Sequence, residues 1–219
     1  MSAAGRRNNL TMFDGTHTIN SFLDAIAAKQ PVPGGGSVAA LAGALSAAMG
    51  EMVLNYSVGR KELAHHEESL KLTLTEFHRA RQMLVKLLEE DQSAYEALRV
   101  AQKLAADAPH RLSEIEEAAM MCVQAPQAMA ATAAAMLELA ENVVDKVNRH
   151  LLSDLAVCAE LAMATTRAAL YNVRVNLPEV KDVQQARKIE SMAEQLLDRA
   201  TAGIKRLEPR IRMRMSKDK

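Results

Sequence analysis

The chain has too few cysteines for a disulfide framework: only Cys122 and Cys158 occur among its 219 residues. It also contains no tryptophan. Both cysteines lie in stretches rich in Ala and Met, where a free thiol behaves as a small buried hydrophobic group. Free thiols of this kind are typical of proteins in a reducing compartment. We therefore expect the protein to be cytoplasmic.

An excess of charge of one sign is also missing, because 27 Lys and Arg residues balance 27 Asp and Glu residues. Proteins that bind nucleic acid without sequence preference neutralise many phosphates with Lys and Arg, so nucleic acid is not an expected partner. Charged residues still make up 25% of the chain and hydrophobic residues 49%. This balance predicts a folded protein rather than a disordered one.

Long hydrophobic runs are absent as well. Residues 30–50 carry no charge, but Pro31, Pro33 and the glycines at 34–36 interrupt the first part. The remainder, residues 37–50, is shorter than the roughly 20 residues that a membrane span needs. We expect a buried helix there and no membrane partner. Residues 1–15 contain arginines without the apolar run of a secretory signal, and they are predicted to form a loose leader.

Strand patterns are missing too, whereas apolar residues recur at spacings of three and four along the chain. The sequence predicts an all-α protein, an antiparallel bundle of about six helices with one long helix. A single domain is expected at residues 16–208, followed by a basic, frayed tail at 209–219.

Capping signals place the expected helix ends. Thr16 or Thr18 is the predicted N-cap of a first helix whose apolar face carries Ile19, Phe22, Leu23 and Ile26. Further starts are predicted at a Ser113 capping box with Glu116 and at Ser153 or Asp154, and Pro126 is expected to kink or restart a helix. The last helix is expected to carry Val183, Ile189, Leu196, Ile204 and Leu207 on one side.

One seven-residue row of the long predicted helix holds a charged residue among apolar ones. The row falls on residues 63, 70, 77, 84, 91, 98 and 105, and Asp91 is its only charged member. Asp91 is either a structural carboxylate, paired with a cation or a capping backbone donor or simply wet, or a desolvated acid whose raised pKa suits proton transfer. Tyr95, one turn further on, is placed to hydrogen-bond to it.

The loop Gly34-Gly35-Gly36-Ser37 precedes a predicted helix, and free N–H groups at a helix start favour an anion. The alternative is that the glycines only form a turn while Ser37 caps the helix. No Gly-Lys-Ser/Thr follows, so the loop is not a P-loop.

Asp154 and Asn172 share one face of a later predicted helix but stand about 27 Å apart along its axis. One chain therefore cannot bring both to the same reacting atom. Either Asp154 caps the helix while Asn172 and Asn176 bond within the bundle, or an extended ligand lies along the bundle, or a dimer axis relates two sites.

Spacings typical of metal or covalent catalysis are not found. His65 and His66 are adjacent on a helix and point about 100° apart, which suits a shared metal poorly. No Cys or His pair has zinc spacing, and no nucleophile elbow occurs. We expect neither a metal site nor covalent catalysis.

Residues 31–61, PVPGGGSVAALAGALSAAMGEMVLNYSVGRK, resemble the formiminotransferase-cyclodeaminase C-terminal family, which includes methenyltetrahydrofolate cyclohydrolases. The similarity continues in EEDQSAYEAL at residues 89–98, at Pro126, and in two segments within residues 148–176. It covers about residues 19–206. The chain departs from the family pattern at Glu62-Leu63, at residues 106–110 and at Val147.

The resemblance implies a small helical homodimer that acts on the one-carbon bridge of tetrahydrofolate without metal or redox cofactor. It implies hydrolysis of 5,10-methenyltetrahydrofolate to the 10-formyl form, favoured because no transferase domain accompanies this one. Release of ammonia from the formimino form is one alternative, and a catalytically silent dimer that binds folate or a partner protein is another. The implied catalytic residues are Asp91 and Asp154. The implied substrate-binding residues are Gly34, Gly35, Gly36, Ser37, Arg60, Lys61, Tyr95, Asn148, Ser153, Asn172 and Asn176.

Overall fold

The computed structural model describes residues 12–216, and within this range the chain forms six α-helices and no strand. The α-helices are α1 (Ile19–Ala27), α2 (Gly35–Asn55), α3 (Glu67–Gln102), α4 (Arg111–Val143), α5 (Leu152–Asn176) and α6 (Val183–Ser216). Short 3-10 helices at Lys61–His66, Arg149–Leu151 and Leu177–Glu179 join them. The predicted all-α bundle of about six helices is confirmed.

α2 packs between α3 and α5. α4 closes the ring by packing on both α3 and α5, and α6 lies across α4 and α5. α5 runs antiparallel to α2, since Gly35 lies by Asn172 and Ser46 donates a 2.6 Å hydrogen bond to the Cys158 carbonyl. The small residues of α2 therefore serve contacts within the chain.

A row of glycines sets the antiparallel contact of α2 with α3. The three pairs that meet are Gly36 with Asp91, Gly43 with Leu84, and Gly50 with Phe77. A Cβ added to these glycines would lie 2.0, 3.0 and 2.5 Å from the nearest atom of the respective partner side chain. Both rows repeat every seven residues, as in a coiled coil. The predicted row on α3 is thus real between positions 70 and 98, and Asp91 occupies a core position in it.

α1 begins where the sequence predicts, because the Thr18 side chain accepts a 3.1 Å hydrogen bond from the Ser21 N–H. Its predicted apolar face is wrong in part. Phe22 is buried, but Ile19 and Leu23 are 74% and 56% exposed. This short helix lies on the outside of the bundle and turns only a narrow side inward.

The predicted start of α4 is wrong. The helix begins at Arg111, and the Ser113 hydroxyl donates to the His110 carbonyl at 2.9 Å instead of capping a helix. Pro126 lies inside α4, which runs on to Val143 without the restart that the sequence suggested.

The predicted cap of α5 is also wrong, since Ser153 and Asp154 lie inside its first turn. The chain enters α5 through the 3-10 helix at Arg149–Leu151. Asn148 caps that helix, and its Oδ1 accepts a 3.1 Å hydrogen bond from the His150 N–H. Because helical structure already begins after Asn148, Ser153 lies inside α5 and does not cap it.

α6 continues to Ser216, so the expected fraying of the basic tail is wrong for residues 209–216, and its part at residues 217–219 lies outside the described residues. Arg214 donates to the backbone carbonyls of Val144 and Val147, and Arg210 donates to Asp145 at 2.6 Å. Arginines suit the unpaired carbonyls and negative dipole at the end of α4. At the other end of α6 the predicted apolar side is wrong for Val183, which is exposed.

By length and composition α2 could cross a membrane. The sequence estimate of residues 37–50 was too short, because the helix begins at Gly35 and continues past Glu51 to Asn55. Of its most apolar 18-residue window, 56% is buried inside the bundle. Core helices of folded proteins pass the same test, and the absence of a membrane partner stays a prediction.

The first described residues are tied to α3. Gln92 is fully buried, its Oε1 accepts a 2.8 Å hydrogen bond from the Phe13 N–H, and its Nε2 donates to the Phe13 carbonyl at 2.7 Å. The Phe13 ring packs edge-on against Phe22 of α1 at 5.6 Å between centroids. The loose-leader prediction is thus wrong at Phe13, and its part at residues 1–11 lies outside the described residues.

We expect Gln92→Ala to lower the free energy of unfolding by about 2–4 kcal/mol, because it leaves two buried backbone groups of Phe13 without partners. Urea denaturation measures the change. Gln82→Ala is the matched control, since Gln82 is exposed on the same helix. A loss no larger than that of Gln82→Ala would contradict the role of Gln92 as an anchor.

Candidate functional site

The N-terminal end of α2 meets Asp91 of α3 and Asn172 of α5. The Asp91 carboxylate accepts hydrogen bonds from the backbone N–H and the hydroxyl of Ser37, with 3.0 Å between Oδ2 and Oγ. Gly36 lets this carboxylate lie directly against the helix start. A Cβ on Gly35 would stand 3.2 Å from Oδ1 of Asn172. Five predicted site residues therefore converge here.

Asp91 combines the two roles that the sequence left open. It caps α2 from a neighbouring helix, where a negative charge is favoured by the helix dipole. Burial nevertheless raises the pKa of Asp91 above its ordinary value of 3.8, against the opposing hydrogen bonds from Ser37. A desolvated carboxylate with a raised pKa is a stronger base than one in water, which suits it to proton transfer.

The side-chain amide groups of Asn172 and Asn176 in α5 donate hydrogen bonds to backbone carbonyls. Nδ2 of Asn172 donates to the Ala168 carbonyl at 2.9 Å. Nδ2 of Asn176 donates to the carbonyls of Cys122 and Asn172, both at 2.9 Å. Oδ1 of Asn172 is left facing Gly35, so this part of the site offers an acceptor to a ligand N–H group.

Cys122 lies at this end of the bundle, although its sequence context suggested only a small buried residue. Burial raises the pKa of the Cys122 thiol to about 11, and the nearby charge of Asp91 adds to the shift. The thiol is therefore protonated at neutral pH and is a poor nucleophile. The signal that could have pointed to this turn of α4 is Pro126, four residues later.

Two further predicted residues lie at the edge of this group. Tyr95 is 43% exposed, and among the described residues its hydroxyl makes no hydrogen bond to Asp91. Gly34 is the N-cap of α2, and a Cβ there would meet only the Pro31 carbonyl at 3.9 Å. Position 34 therefore has room for a side chain.

The remaining predicted residues lie at the opposite end of the bundle, separated from Gly35 by the 21 residues of α2, about 30 Å of helix. A cavity of about 380 Å³ opens there, lined by Arg60, Glu62, Leu63, Val147, Asn148, Arg149, His150 and Arg214. Nε of Arg60 donates to the Glu62 carboxylate at 2.6 Å. Glu62, at which the chain departs from the family pattern, therefore forms an ion pair with Arg60. Lys61 and Ser153 are exposed, and Asp154 is half-buried.

Asn148 makes structural hydrogen bonds at this end of the bundle. Its N–H donates to Ser57 Oγ at 2.8 Å while its side chain caps the 3-10 helix before α5. Asp154 and Asn172 thus lie near opposite ends of α5, as the helix arithmetic indicated, and Asp91 lies at the Asn172 end.

Within residues 12–216 no group of three or more His, Cys, Asp or Glu side chains could hold a metal ion. The rings of His65 and His66 lie against each other, with 3.8 Å between centroids and their planes tilted by 51°. The absence of a metal or cofactor stays a prediction.

Comparisons with known proteins agree on one family. The family model described as formiminotransferase-cyclodeaminase matches residues 18–195. Methenyltetrahydrofolate cyclohydrolase from Methylorubrum extorquens is 32% identical over 206 residues, which are 92% of this chain and 99% of that protein. Formimidoyltransferase-cyclodeaminase from Sus scrofa is 30% identical over 88% of this chain and 37% of its own length.

A crystal structure of formiminotetrahydrofolate cyclodeaminase from Thermotoga maritima shares the fold. It superposes with a TM-score of 0.84 at 23% identity, covering 90% of this chain and 97% of the other.

Proposed function

The chain belongs to the formiminotransferase-cyclodeaminase family, and we propose that it is a methenyltetrahydrofolate cyclohydrolase. The expected resemblance is confirmed, and with it an enzyme of folate one-carbon metabolism. The observation that carries the proposal is Asp91, a half-buried carboxylate with a raised pKa at the start of α2. The cyclohydrolase relative matches along 99% of its length, whereas the chain spans 37% of the Sus scrofa enzyme.

Asp91 supplies the proton transfer that hydrolysis of the methenyl bridge needs. A water oxygen adds to the bridging carbon as the carboxylate takes one of the water protons. The second water proton passes to N5 of the substrate as the bond between that nitrogen and the bridging carbon breaks, which leaves the formyl group on N10. Water is the co-reactant and the proton taken up by Asp91 is the one released to solvent, and we propose that no metal or cofactor takes part.

The two ends of the bundle suit the two ends of a folate. The pterin ring carries N–H donors, and Asn172 presents Oδ1 as an acceptor beside Gly35. The glutamate part carries carboxylates, and the far cavity is lined by three arginines, each with five N–H donors that can bind a carboxylate in addition to a present partner. A single extended substrate does not span about 30 Å between these ends within one chain.

A second copy of the chain brings the two ends together, and we propose a homodimer. An apolar stripe is exposed along α2 and its neighbour α5: Val38, Leu45, Tyr56, Val157, Tyr171 and Val175. Contiguous exposed apolar surface marks interaction sites. A twofold axis through the middle of this face places the Asp91 end of one protomer over the Asp154 end of its partner, and the symmetry creates two such sites.

The same chemistry supports the remaining expectations. We propose a cytoplasmic enzyme, because Cys122 and Cys158 are both free thiols and free buried thiols are typical of a reducing compartment. The folate substrate is the proposed small-molecule partner, and neither nucleic acid nor a membrane is proposed as one.

An absorbance assay with two substrates tests the activity. With methenyltetrahydrofolate we expect the absorbance of the methenyl bridge to fall faster than in buffer. With formiminotetrahydrofolate we expect no gain of that absorbance. A gain would instead assign the chain as a formiminotetrahydrofolate cyclodeaminase, with Asp91 protonating the leaving nitrogen. No change with either substrate would leave the silent folate-binding dimer.

We expect subunit mixing to recover activity from two inactive variants, Asp91→Asn and Asp154→Asn. Half of the randomly paired dimers are mixed, and each mixed dimer holds one intact site of two, so about one quarter of wild-type activity returns. The measurement is turnover after unfolding and refolding the two variants together. Variants refolded separately and then combined are the control. No recovery would contradict a site shared between protomers.

A further inference from the structure

Pro126 leaves a backbone carbonyl of α4 without its usual partner. In an α-helix the carbonyl of residue i accepts from the N–H of residue i+4, and proline has no N–H. The Cys122 carbonyl therefore has no donor within its own helix. Cys122 is buried, so an unsatisfied carbonyl there would be costly.

Asn176 of α5 fills this gap. Its Nδ2 donates one hydrogen bond to the Cys122 carbonyl and one to the Asn172 carbonyl, each at 2.9 Å. The two amide hydrogens are thereby used, one across to α4 and one back along α5. A side chain of one helix thus stands in for the missing N–H of the other.

We propose that Asn176 is a positioning residue that clamps the last turn of α5 to the turn of α4 before Pro126, and so holds Asn172 against Gly35. This inference rests on the proposed function. It revises the substrate-binding role that the family resemblance implies for Asn176. Asn176 lies one helical turn after Asn172, and its bond to the Asn172 carbonyl links the clamp directly to the site.

The consequence of losing the clamp follows from its place in the helix. α5 ends at Asn176, and a helix end without side-chain partners frays. Asn172 has its own bond to Ala168, but its backbone would no longer be linked to α4 through the hydrogen bonds of Asn176. A misplacement of about 1 Å in a catalytic site costs up to about 100-fold in rate.

The test combines Asn176→Ala with Pro126→Ala. We expect Asn176→Ala to lower kcat about 10-fold or more and to lower Tm by about 5 °C. Pro126→Ala restores an N–H to pair with the Cys122 carbonyl. In the double variant we therefore expect Tm to recover while kcat stays low, because the bond between helices is still missing. Asn142→Ala, at an exposed asparagine of α4, is the control expected to change neither.

Three results would overturn the proposal. An unchanged kcat for Asn176→Ala would show that the clamp is only structural. A loss of kcat/KM from Asn176→Ala that is as large in an Asn172→Ala background as in the otherwise wild-type protein would assign Asn176 a role of its own, such as direct substrate binding. Recovery of kcat together with Tm in the double variant would show that satisfying the carbonyl is the whole effect.

Failure of the proposed function is recognised separately, by a wild-type protein without turnover. In that case tetrahydrofolate titration replaces kcat as the readout in the same variants. Weaker binding of the double variant than of wild type is then the expected result, and equal binding would overturn the clamp.

Discussion

Asp91→Asn lowers the turnover of methenyltetrahydrofolate by at least about 100-fold, the usual scale of a general acid–base contribution, and leaves the fold intact. Asparagine keeps the shape of the side chain and an acceptor for Ser37, but it cannot take a proton from water. Initial rates measure the loss, and circular dichroism verifies the fold. Asp198→Asn, at an exposed position of α6, is the control expected to retain wild-type rates.

Although it lowers turnover, Asp91→Asn is expected to keep or raise the stability of the fold. Because burial raises the pKa of Asp91, folding favours the neutral carboxyl. Its stabilising contribution is complete below the ordinary value of 3.8 and is lost as the pH rises through the raised pKa. Asparagine mimics the neutral form at every pH. Asp91→Asn should therefore melt at or above the wild-type temperature at pH 7, with the difference shrinking below pH 4.

A variant that turns over like wild type and melts at a lower temperature would make Asp91 a purely structural cap of α2. The dependence of the wild-type rate on pH gives an independent test. The apparent pKa of its acid limb should lie above 3.8, the ordinary pKa of an aspartate.

Gly36→Ala should reduce turnover about as severely as the loss of Asp91 itself. A Cβ at position 36 would lie 2.0 Å from Oδ1 of Asp91, so either the carboxylate or the start of α2 must move. Overpacking of this kind typically costs about 1–3 kcal/mol. Turnover and urea denaturation measure the two effects. Gly203→Ala is the matched control, because Gly203 lies in α6, away from the site, and a Cβ there would stand 3.7 Å from its nearest neighbour.

A double-mutant cycle identifies the cause. In an Asp91→Ala background the clash disappears, so Gly36→Ala should cost little stability there. An equal cost in both backgrounds would mean that the backbone of α2 requires glycine at this position for its own sake, and the steric account would be wrong.

The sequence by itself determined the helical class, the seven-residue row on α3 and the start of α1 at Thr18. These features are local, since apolar spacing and a capping side chain act within a few residues of the same helix. It also singled out Asp91, because a charge in an apolar row is visible without a partner, and the catalytic role of Asp91 stays a prediction. The motifs at residues 31–61 and 89–98 indicated the family, which the comparisons confirmed.

Local signals failed where two of them competed. Ser113 and Ser153 each resemble a helix cap, yet α4 begins at Arg111 and α5 begins at Leu152. The basic tail was expected to fray because its own sequence offers no apolar face, but the carbonyls at the end of α4 bind Arg214. Contacts with a distant segment decided the end of α6.

Only the tertiary structure decided which helices face each other, and that choice made the site. A seven-residue spacing of glycines on α2 and of larger residues on α3 is present in the sequence, but neither row names its partner or its direction. The antiparallel register places Asp91 against Gly36 and desolvates it. The bond from Asn176 to Cys122 joins residues 54 positions apart. Burial and pKa depend on what packs around a group in space, and one-dimensional periodicity does not contain that information.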